Sequence, residues 1–412
     1  MDRSFDVCVI GAGLWGSAAA RHLSQNPGMK VCLIGPEEPK KEDYPNAEVL
    51  GSHYDEGRIT RETDGDSIWA VLAQRSIERY HHLEKITGVT FYSEVGCMTT
   101  GPKGSHYLSA IEENCKKLNI DFLNCSQYDL RSLFPYLKSS PSNGYLFTRK
   151  RSGYISPRKL ITAQKTAAHL QGCEIINDTV TVVSRTSEGG QRSVCITTKN
   201  GGEVYTNRIL LCTGAFTNFH GLLEEELKLD VTVESEMVVK PEVSGKELAK
   251  LKDMPVMISF TGVLPDVEDF YLLPPIQYPN GKFYLKLGHH KSFKKKFSTL
   301  KEVKDWFIQG GDEEIGEYLL HLIHHFIEDF EETSVECDAA VTTGTPSGYP
   351  YCGMVTPNIG VLVGGNGYGA KSSDEIGRMG AMMIKNGRWN HDLPEEKFKP
   401  RFKRNSARTS KL

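Results

Sequence analysis

Three glycines near the start of the chain have the spacing of a dinucleotide-binding turn. They form Gly11-x-Gly13-x-x-Gly16 between an apolar strand at residues 7–10 and the small side chains that begin a helix, and a second apolar strand follows at residues 30–34. Gly11 permits a tight turn, Gly13 lets the backbone approach a pyrophosphate, and Gly16 lets the helix pack on the strand. The free amides of the helix N-terminus would face the phosphates. The predicted contacts are Gly11, Gly13, Leu14, Trp15 and Gly16.

An acidic residue usually ends the second strand of this motif and binds the ribose hydroxyls. The chain instead has Gly35-Pro36 at that place, followed by Glu37 and Glu38. Either glutamate could reach back from the loop, or both could be ordinary solvated charges. The sequence leaves the ribose partner open.

Composition limits the classes of function. The 412 residues are 39% hydrophobic and 25% charged, with a formal net charge of -3, and the length favours two interleaved domains. This charge gives no reason to expect nucleic acid as a partner, and no apolar run is long enough to span a membrane. The ten cysteines include no C-x-x-C pair, and the thirteen histidines have no partners at metal spacing. We therefore expect buried free cysteines and no metal.

Capping signals mark where helices begin. Asp66 precedes a segment that we predict to be helical as far as residue 85, and Ser156 followed by Pro157 predicts a helix over residues 158–170. Apolar periodicity predicts further helices over residues 300–309, 315–330 and 372–384. These elements would position the chemically suited side chains described next.

Residues 51–61, GSHYDEGRITR, resemble a segment of the D-amino-acid-oxidase-like flavoprotein superfamily. The resemblance is strongest to the branch of monomeric sarcosine oxidase, N-methyltryptophan oxidase and pipecolate oxidase, where a Ser-His pair leads into two arginines three residues apart. It implies FAD as the cofactor, with Arg58 over the flavin and Arg61 on a substrate carboxylate, which the planar guanidinium fork matches. The alternative is two solvated loop arginines. Further cofactor contacts are implied at Ser52, His53, Val180, Thr213, Gly214, Gly365, Gly367 and Tyr368.

A second similar segment combines Y-x-x-P-P at residues 271–275 with L-K-x-G-x-H at residues 285–290. The resemblance implies that Lys286 meets dioxygen near the flavin, that His290 is also catalytic, and that Tyr271 borders the substrate amine. Strand alternation places Lys286 on one face with Gly288 and His290. If that face points at the flavin, the ammonium is aimed inward; if it points to solvent, Lys286 is one more exposed lysine.

The segment around Thr345-Pro346 resembles a stretch in which covalent-flavin members carry a cysteine five residues before the threonine. That position is Ala340 here, so we expect FAD to be bound without a covalent link, although Cys337 and Cys352 lie nearby in the sequence. Family members usually carry an aromatic residue two positions after that cysteine, as part of a wall that binds a cation. This chain has Thr342 at that position instead, so one side of such a wall is missing.

A second glycine-rich turn, Gly367-x-Gly369-x-Lys371, follows a strand at residues 360–363. It resembles the family turn whose helix N-terminus faces the flavin pyrimidine and whose lysine is the other carboxylate ligand. Such a helix end would stabilise negative charge on the flavin. The alternative is a solvated lysine in the first turn of a helix.

The resemblance implies an oxidase of a small secondary or N-methylated amino acid, sarcosine-like or pipecolate-like, that passes a hydride to FAD and electrons to O2, giving hydrogen peroxide. Arg61 and Lys371 would hold the carboxylate while Tyr54 and Tyr271 border the amine. Two cations and little carboxylate would favour the neutral amine. A bulkier N-alkylated or glycated amino acid, a dehydrogenase with another acceptor, and a flavin-binding protein without turnover remain open.

The expected fold is α/β, with a Rossmann-type FAD-binding domain interleaved with an α+β substrate domain on an antiparallel sheet. The FAD-binding domain would comprise residues 1–89, 146–217 and 332–395, and the substrate domain residues 90–145 and 218–331. A basic tail over residues 396–412 ends in Ser410-Lys411-Leu412, the peroxisomal import signal, so the import receptor is an expected partner and the peroxisome the expected location. We expect a monomer.

Overall fold

The computed structural model describes residues 4–188, 191–289 and 293–403, whose strands form sheets of eight, nine and three strands. His290 and the predicted import signal lie outside the described residues. The strands are β1 Ser4–Ile10, β2 Val31–Ile34, β3 Arg58–Arg61, β4 Tyr92–Ser93, β5 Cys97–Pro102, β6 Leu123–Cys125, β7 Asn143–Thr148, β8 Ser152–Ile155, β9 Glu174–Ile176, β10 Val180–Glu188, β11 Gln191–Thr198, β12 Glu203–Leu211, β13 Thr232–Val243, β14 Val256–Ser259, β15 Phe270–Gln277, β16 Phe283–His289, β17 Lys296–Phe297, β18 Ser334–Gly344, β19 Tyr351–Thr356 and β20 Ile359–Val363.

Helices connect these strands, and within the described residues none is long and apolar enough to cross a membrane. The helices are α1 Leu14–Ser24, α2 Ser67–Ile77, α3 Tyr80–Thr87, α4 His106–Lys117, α5 Gln127–Leu133, α6 Pro157–Leu170, α7 Gly245–Lys250, α8 Leu300–Gln309, α9 Glu313–Phe326, α10 Ser373–Asn386 and α11 Glu395–Phe398.

The eight-stranded sheet has the parallel centre of a Rossmann-type fold. Its inner strands run in the order β20-β12-β1-β2-β9, and each neighbouring pair is parallel. Val7 and Val9 of β1 pack with residues of α1 and α10, while Cys8 and Ile10 face a second cluster on the other side of the sheet. A sheet buried on both faces explains the continuous apolar strands. The predicted fold class is confirmed.

The nine-stranded sheet supplies the other half of the molecule. Its order is β17-β13-β16-β15-β14-β5-β7-β6, with β18 paired along β13 from Thr232–Gly344 to Glu242–Ser334. All of these pairs are antiparallel except β14 with β5. The apolar side of α9 packs on this sheet in one buried cluster. The sheet therefore combines two separate parts of the chain, residues 97–148 and 232–344; the predicted domain boundaries stay a prediction.

Both predicted helix caps are confirmed. The Asp66 carboxylate accepts from the amides of Ile68 and Trp69 at 2.9 and 3.1 Å, and the Ser156 hydroxyl accepts from the Lys159 amide at 3.3 Å. These bonds satisfy amides that the first turn of a helix leaves unpaired.

The prediction of one helix over residues 66–85 is wrong, because α2 ends at Ile77 and α3 begins at Tyr80. The turn between them brings Arg79 to the carboxylates of Asp374 and Glu375 on α10, at 2.5 and 2.6 Å. The spacing of apolar residues in this segment gives no sign of these long-range ion pairs.

Candidate active site

A cavity of about 410 Å³ lies where the carboxyl ends of β1, β2, β12 and β20 meet the nine-stranded sheet, and its size is typical of a ligand site. Segments far apart in the chain contribute to its wall, including most residues predicted from the sequence. The predicted residues on the wall are Gly11, Gly13, Leu14, Trp15, Ser52, His53, Tyr54, Arg58, Arg61, Val180, Thr213, Gly214, Tyr271, Gly365, Gly367, Tyr368 and Lys371.

The first glycine-rich turn has the shape that its spacing predicts. Gly11 has a φ of +105°, which favours glycine, and a side chain at Gly16 would collide with the Gly11 carbonyl. The helix that follows, α1, carries no acidic residue in its first turn, and no described side chain caps it. Its first amides are therefore available to a negatively charged group.

The place of the missing acidic residue is occupied by backbone. A Cβ atom at Gly35 would lie 2.5 Å from the Ala12 amide nitrogen, so there is no room at this position for a side chain larger than that of glycine. Glu37 accepts from Asn177 Nδ2 at 2.6 Å, and Glu38 pairs with Arg158 at 2.6 Å. Both glutamates are thus engaged elsewhere, and neither is among the described residues that line the cavity.

The two glycine-rich turns are joined by Trp15. Its indole Nε1 donates to the Gly369 carbonyl at 2.9 Å, and a Cβ atom at Gly369 would lie 2.7 Å from the ring. The second turn also binds the Thr-Pro segment, because the Thr345 amide donates to Asn366 Oδ1 at 2.8 Å.

The part of the cavity wall formed by the second turn ends at Lys371, before α10 begins. The first turn of α10 carries Asp374 and Glu375, so its positive end is already complemented by carboxylates.

The loop before β3 is fixed by its polar groups. The Ser52 hydroxyl donates to the Val341 carbonyl at 2.8 Å and accepts from the Val341 amide at 3.0 Å. Arg58 Nη2 donates to the Ser52 carbonyl at 2.6 Å. Burial, followed by Arg158 and Arg58, lowers the pKa of His53 to about 3, so this ring on the wall is neutral.

Asp55, Arg58 and Lys286 form an ionic group, which we call the Lys286 triad; Asp55 and Lys286 are buried and Arg58 is half-buried. The Asp55 carboxylate pairs with both cations, and Tyr278 donates its hydroxyl to Asp55 at 2.7 Å. Lys286 Nζ also donates to the Gly57 carbonyl at 2.6 Å. Burial, followed by Arg58 and Lys240, holds the pKa of Lys286 well below its ordinary value.

Lys286 points inward, yet it is absent from the described residues that line the cavity. Its side chain is 0% exposed, whereas its triad partner Arg58 lines the wall. The Lys286 ammonium lies 5.9 Å from the centre of the Tyr271 ring, which is also on the wall. The exposed-lysine alternative is therefore wrong, and the ammonium lies one residue behind the cavity.

Arg61, Asp64 and Lys371 form a second group, the Lys371 triad. The Asp64 carboxylate pairs with Lys371 Nζ and lies 3.6 Å from Arg61 Nη2. Arg61 also donates to the Tyr107 hydroxyl at 3.4 Å. Arg61 and Lys371 therefore meet on the cavity wall as the resemblance implied, and the solvated-residue alternatives are wrong because all three charged side chains are buried.

Several residues on or directly behind the wall were missed from the sequence. Tyr107 packs on Phe260 with ring centres 3.9 Å apart, and both lie beside Arg61 on the wall. Asp64 had a weak signal, because it follows Arg61 by three residues in a segment that was already assigned to the site. Tyr107 and Phe260 had none, since neither lies in a motif.

The expectation of little carboxylate in the site is wrong. Glu236 and Asp269 both line the cavity. Glu236 pairs with Lys294, and burial raises its pKa to about 7 even so. The predicted substrate tyrosines lie in different parts of the wall: Tyr54 packs in the cluster of Phe216, and Tyr271 in the cluster of Ile258.

Ala340 lies on the wall where the covalent-flavin resemblance would place a cysteine. The nearby Cys337 packs against Gly316 of α9, and Cys352 is buried in β19. Cys212 does line the cavity, but burial raises its pKa well above the ordinary value. Because the thiolate is the reactive form, this cysteine is held in its inert state. The described residues contain no group of acidic, histidine and cysteine side chains that could hold a metal ion.

Comparison with known proteins identifies the family. Residues 6–383 match the DAO family, described as FAD dependent oxidoreductase. The chain belongs to this family. It is therefore an FAD-dependent enzyme, and FAD is its cofactor.

Individual relatives agree with this assignment. The chain is 25% identical over 427 residues to monomeric sarcosine oxidase of Bacillus sp. strain B-0618, covering 95% of each chain. Its fold resembles NikD, an unusual amino acid oxidase essential for nikkomycin biosynthesis, with a TM-score of 0.75, 17% identity and coverage of 97% and 98% of the two chains. It also resembles the fructosyl amine oxidoreductase amadoriase I of Aspergillus fumigatus, with a TM-score of 0.70, 16% identity and coverage of 96% and 90%.

The cavity fits FAD. The uncapped α1 N-terminus beside Gly11 and Gly13 offers amides for a pyrophosphate, and the apolar residues Ile34, Leu222 and Val180 also line the wall. The same wall carries Arg58 and the second glycine-rich turn, which Trp15 joins to the first. Bound FAD would supply the acceptor for a hydride. The protein contributes the charged groups around that acceptor.

Proposed function

We propose that the chain is an oxidase of a small amino acid with a secondary or N-methylated amine, with dioxygen as the acceptor and an imine and hydrogen peroxide as products. The observation that carries this proposal is the Lys371 triad. Two buried cations, Arg61 and Lys371, line one cavity with the cofactor-binding turns. With Asp64 between them the group has a net charge of about one cation, which suits one carboxylate.

The amine end of the substrate would lie next to this carboxylate site, against Tyr271, Ile258 and Phe260. These residues give the wall an aromatic and apolar surface, which favours the neutral form of an amine by excluding water. Relatives named sarcosine oxidases support a small N-methyl amine.

A bulkier N-substituent is the second candidate. Glu236 and Asp269 line the cavity, and the small Thr342 leaves that part of the wall without an aromatic side chain. Carboxylates there could accept hydrogen bonds from hydroxyl groups on a glycated amine. The fold likeness to amadoriase I agrees with this candidate without deciding it.

A substrate screen distinguishes the candidates. The holoenzyme is offered sarcosine, pipecolate, proline, glycine and fructosyl-glycine, with peroxide formation and anaerobic bleaching of the flavin both measured. We expect sarcosine or pipecolate to give the highest kcat/KM. Bleaching without peroxide would support the dehydrogenase, oxidation of fructosyl-glycine alone would support the bulkier substrate, and no bleaching with any amine would contradict both proposals.

We further propose that FAD is bound without a covalent link, because Ala340 replaces the attachment cysteine and Cys212 is held as a thiol. Acid precipitation of the holoenzyme should leave a colourless pellet and a yellow supernatant. Flavin that stays with the washed pellet would contradict the proposal.

We also propose peroxisomal import through Ser410-Lys411-Leu412, which would suit an enzyme that releases peroxide. In cells, deletion of Leu412 from the full chain should redistribute it from peroxisomes to the cytosol. An unchanged distribution would show that these three residues do not act as an import signal. That the chain is a monomer stays a prediction.

A further inference from the structure

An aspartate lies directly behind the two cations of the proposed carboxylate site. Asp64 pairs with Lys371 and lies 3.6 Å from Arg61, yet it is absent from the described residues that line the cavity. Its side chain is 5% exposed. A carboxylate in this position would ordinarily be expected to repel an anionic substrate.

We propose that Asp64 is a positioning residue that strengthens carboxylate binding, because it keeps the Lys371 ammonium protonated and holds it at the cavity wall. This inference rests on the proposed function, since it takes the substrate carboxylate as the ligand of Arg61 and Lys371. Asp64 itself would not touch the substrate.

Lys371 depends on Asp64 because its other surroundings disfavour a charge. Burial, opposed by Asp64 and reinforced by Arg61, lowers the pKa of Lys371 to about 8. Cys97 on β5 faces the same ammonium, but burial raises the pKa of this thiol, so it brings no negative charge. The Tyr368 ring, 5.2 Å from Nζ, offers only a weak attraction. Asp64 is therefore the full negative charge paired with Lys371.

Arginine and lysine differ in how they respond to such a site. Arg61 keeps its proton under any ordinary condition, whereas a buried lysine readily loses one. Without Asp64, two like charges would remain side by side in a dry site. Lys371 would release its proton, and the carboxylate site would retain only the Arg61 cation.

Asp64 is also fixed independently of any ligand. Its Oδ1 accepts from the Asp66 amide at 3.0 Å, and its main-chain carbonyl accepts from Asn114 Nδ2 at 3.0 Å. Although burial would raise it, Lys371 and Arg61 hold the pKa of Asp64 below its ordinary value. The carboxylate thus stays ionised behind the wall, where it orients Lys371.

The test compares Asp64→Asn with the wild-type holoenzyme by two measurements. Propionate, a carboxylate with no amine to oxidise, is titrated against the flavin absorbance spectrum between pH 6 and 9. Lys371 reactivity is measured by acetylation with acetic anhydride and peptide mass spectrometry, because only the neutral amine reacts. The matched control is Glu62→Gln, which removes a neighbouring buried carboxylate that pairs with Arg151 instead.

We expect Asp64→Asn to bind propionate at least about tenfold more weakly at pH 7.5 and to recover towards pH 6, as Lys371 regains its proton. Labelled at pH 6, where an amine with a pKa of about 8 is almost entirely protonated, Lys371 should be acetylated several-fold faster in Asp64→Asn, because more of it is neutral. Glu62→Gln should behave like the wild type in both measurements. Equal or tighter propionate binding by Asp64→Asn, with Lys371 labelled at the wild-type rate, would overturn the inference.

A second pair of variants covers the case in which Asp64→Asn does not fold. The single variant Arg61→Met and the double variant Arg61→Met with Asp64→Asn differ only at residue 64. Neither leaves a buried Arg61 cation without the carboxylate of Asp64. Lys371 should be acetylated faster in the double variant; equal rates would overturn the inference. If Arg61→Met binds propionate as the wild type does, the proposed carboxylate site fails, while the labelling rates still decide how Asp64 acts on Lys371.

Discussion

The Lys286 triad and the Lys371 triad contain the same three residue types in opposite arrangements. In the Lys286 triad, Arg58 lines the cavity and Lys286 is buried behind it, with Asp55 between them. In the Lys371 triad, both cations line the cavity and the aspartate is behind. The order of the charges, rather than their number, therefore decides what each triad can present to a ligand.

This difference separates two tasks. The Lys371 triad presents two hydrogen-bonding cations, which suits an anion that is present before the reaction begins. The Lys286 triad presents one arginine with a second cation close behind, which suits stabilisation of charge that appears only during reaction. Four experiments test this division.

The largest effect is expected from Lys286→Met, which keeps the length of the side chain and removes the charge. If dioxygen is the acceptor, as proposed, reoxidation of the reduced enzyme should slow by about 100-fold or more, because Lys286→Met removes a preorganised cation behind the cavity wall where negative charge would develop. Anaerobic reduction by substrate should change much less. Stopped-flow traces of the two half-reactions measure both.

The control for this change is Lys282→Met, in the same segment but half exposed and paired with Glu242. It should reoxidise at the wild-type rate. If Lys286→Met also reoxidises at the wild-type rate, the Lys286 triad has no role in dioxygen chemistry. That result would favour a dehydrogenase that uses another electron acceptor.

The next effect is expected from Arg61→Met. Loss of a charge-assisted contact costs about 1.5 to 3 kcal/mol, so propionate should bind at least about tenfold more weakly while FAD stays bound. Spectral titration of the holoenzyme measures the affinity, and Arg149→Met, at an exposed position, serves as the control. An unchanged affinity would place the carboxylate elsewhere in the cavity.

A smaller effect is expected from pH in the wild type. The pKa of Lys371 is lowered to about 8 by burial and Arg61, against the pull of Asp64. Lys371 is therefore charged below that pH and neutral above it, so propionate binding should weaken as the pH rises through 8, in addition to any loss near pH 7 from ionisation of Glu236 on the same wall. In Lys371→Met the weakening through pH 8 should disappear; its persistence would point to a different titrating group.

The smallest effect on function is expected from Tyr278→Phe, which removes the hydroxyl that donates to Asp55 at 2.7 Å. A hydrogen bond to a charged acceptor contributes about 1.5 to 3 kcal/mol to the free energy of unfolding, and the Asp55 carboxylate keeps its two cations in the variant. Chemical denaturation should show a loss of that size, with reoxidation slowed only slightly. A loss in rate as large as that of Lys286→Met would mean that Tyr278 takes part in the chemistry itself.

The sequence predicted the parts of the site that are encoded locally. Gly11, Gly13 and Lys371 lie in turns whose spacing reports their backbone conformation, and the caps Asp66 and Ser156 are read from neighbouring residues. The Rossmann-type half of the fold class follows from the same order of strand, turn and helix, whereas the antiparallel substrate domain was implied by the family resemblance.

The rest depended on contacts between distant segments. Tyr107 reaches Arg61 only because α4 packs beside β5, and Arg79 breaks a continuous apolar pattern because its partners lie almost 300 residues further along the chain. The sequence also could not predict which charged side chain of each triad lines the cavity and which lies behind it, since a pattern of residue types does not show which side chain lies in front of another. Asp55 and Asp64 were visible in the sequence, but their pairing with lysines from β16 and the second glycine-rich turn was not.

The bond between Trp15 and Gly369 spans nearly the whole chain, and this sets the order of events during synthesis. The first glycine-rich turn is translated first, and the second turn follows 354 residues later, counted from Trp15 to Gly369. A nascent chain that has not reached Lys371 therefore holds only half of the nucleotide cradle.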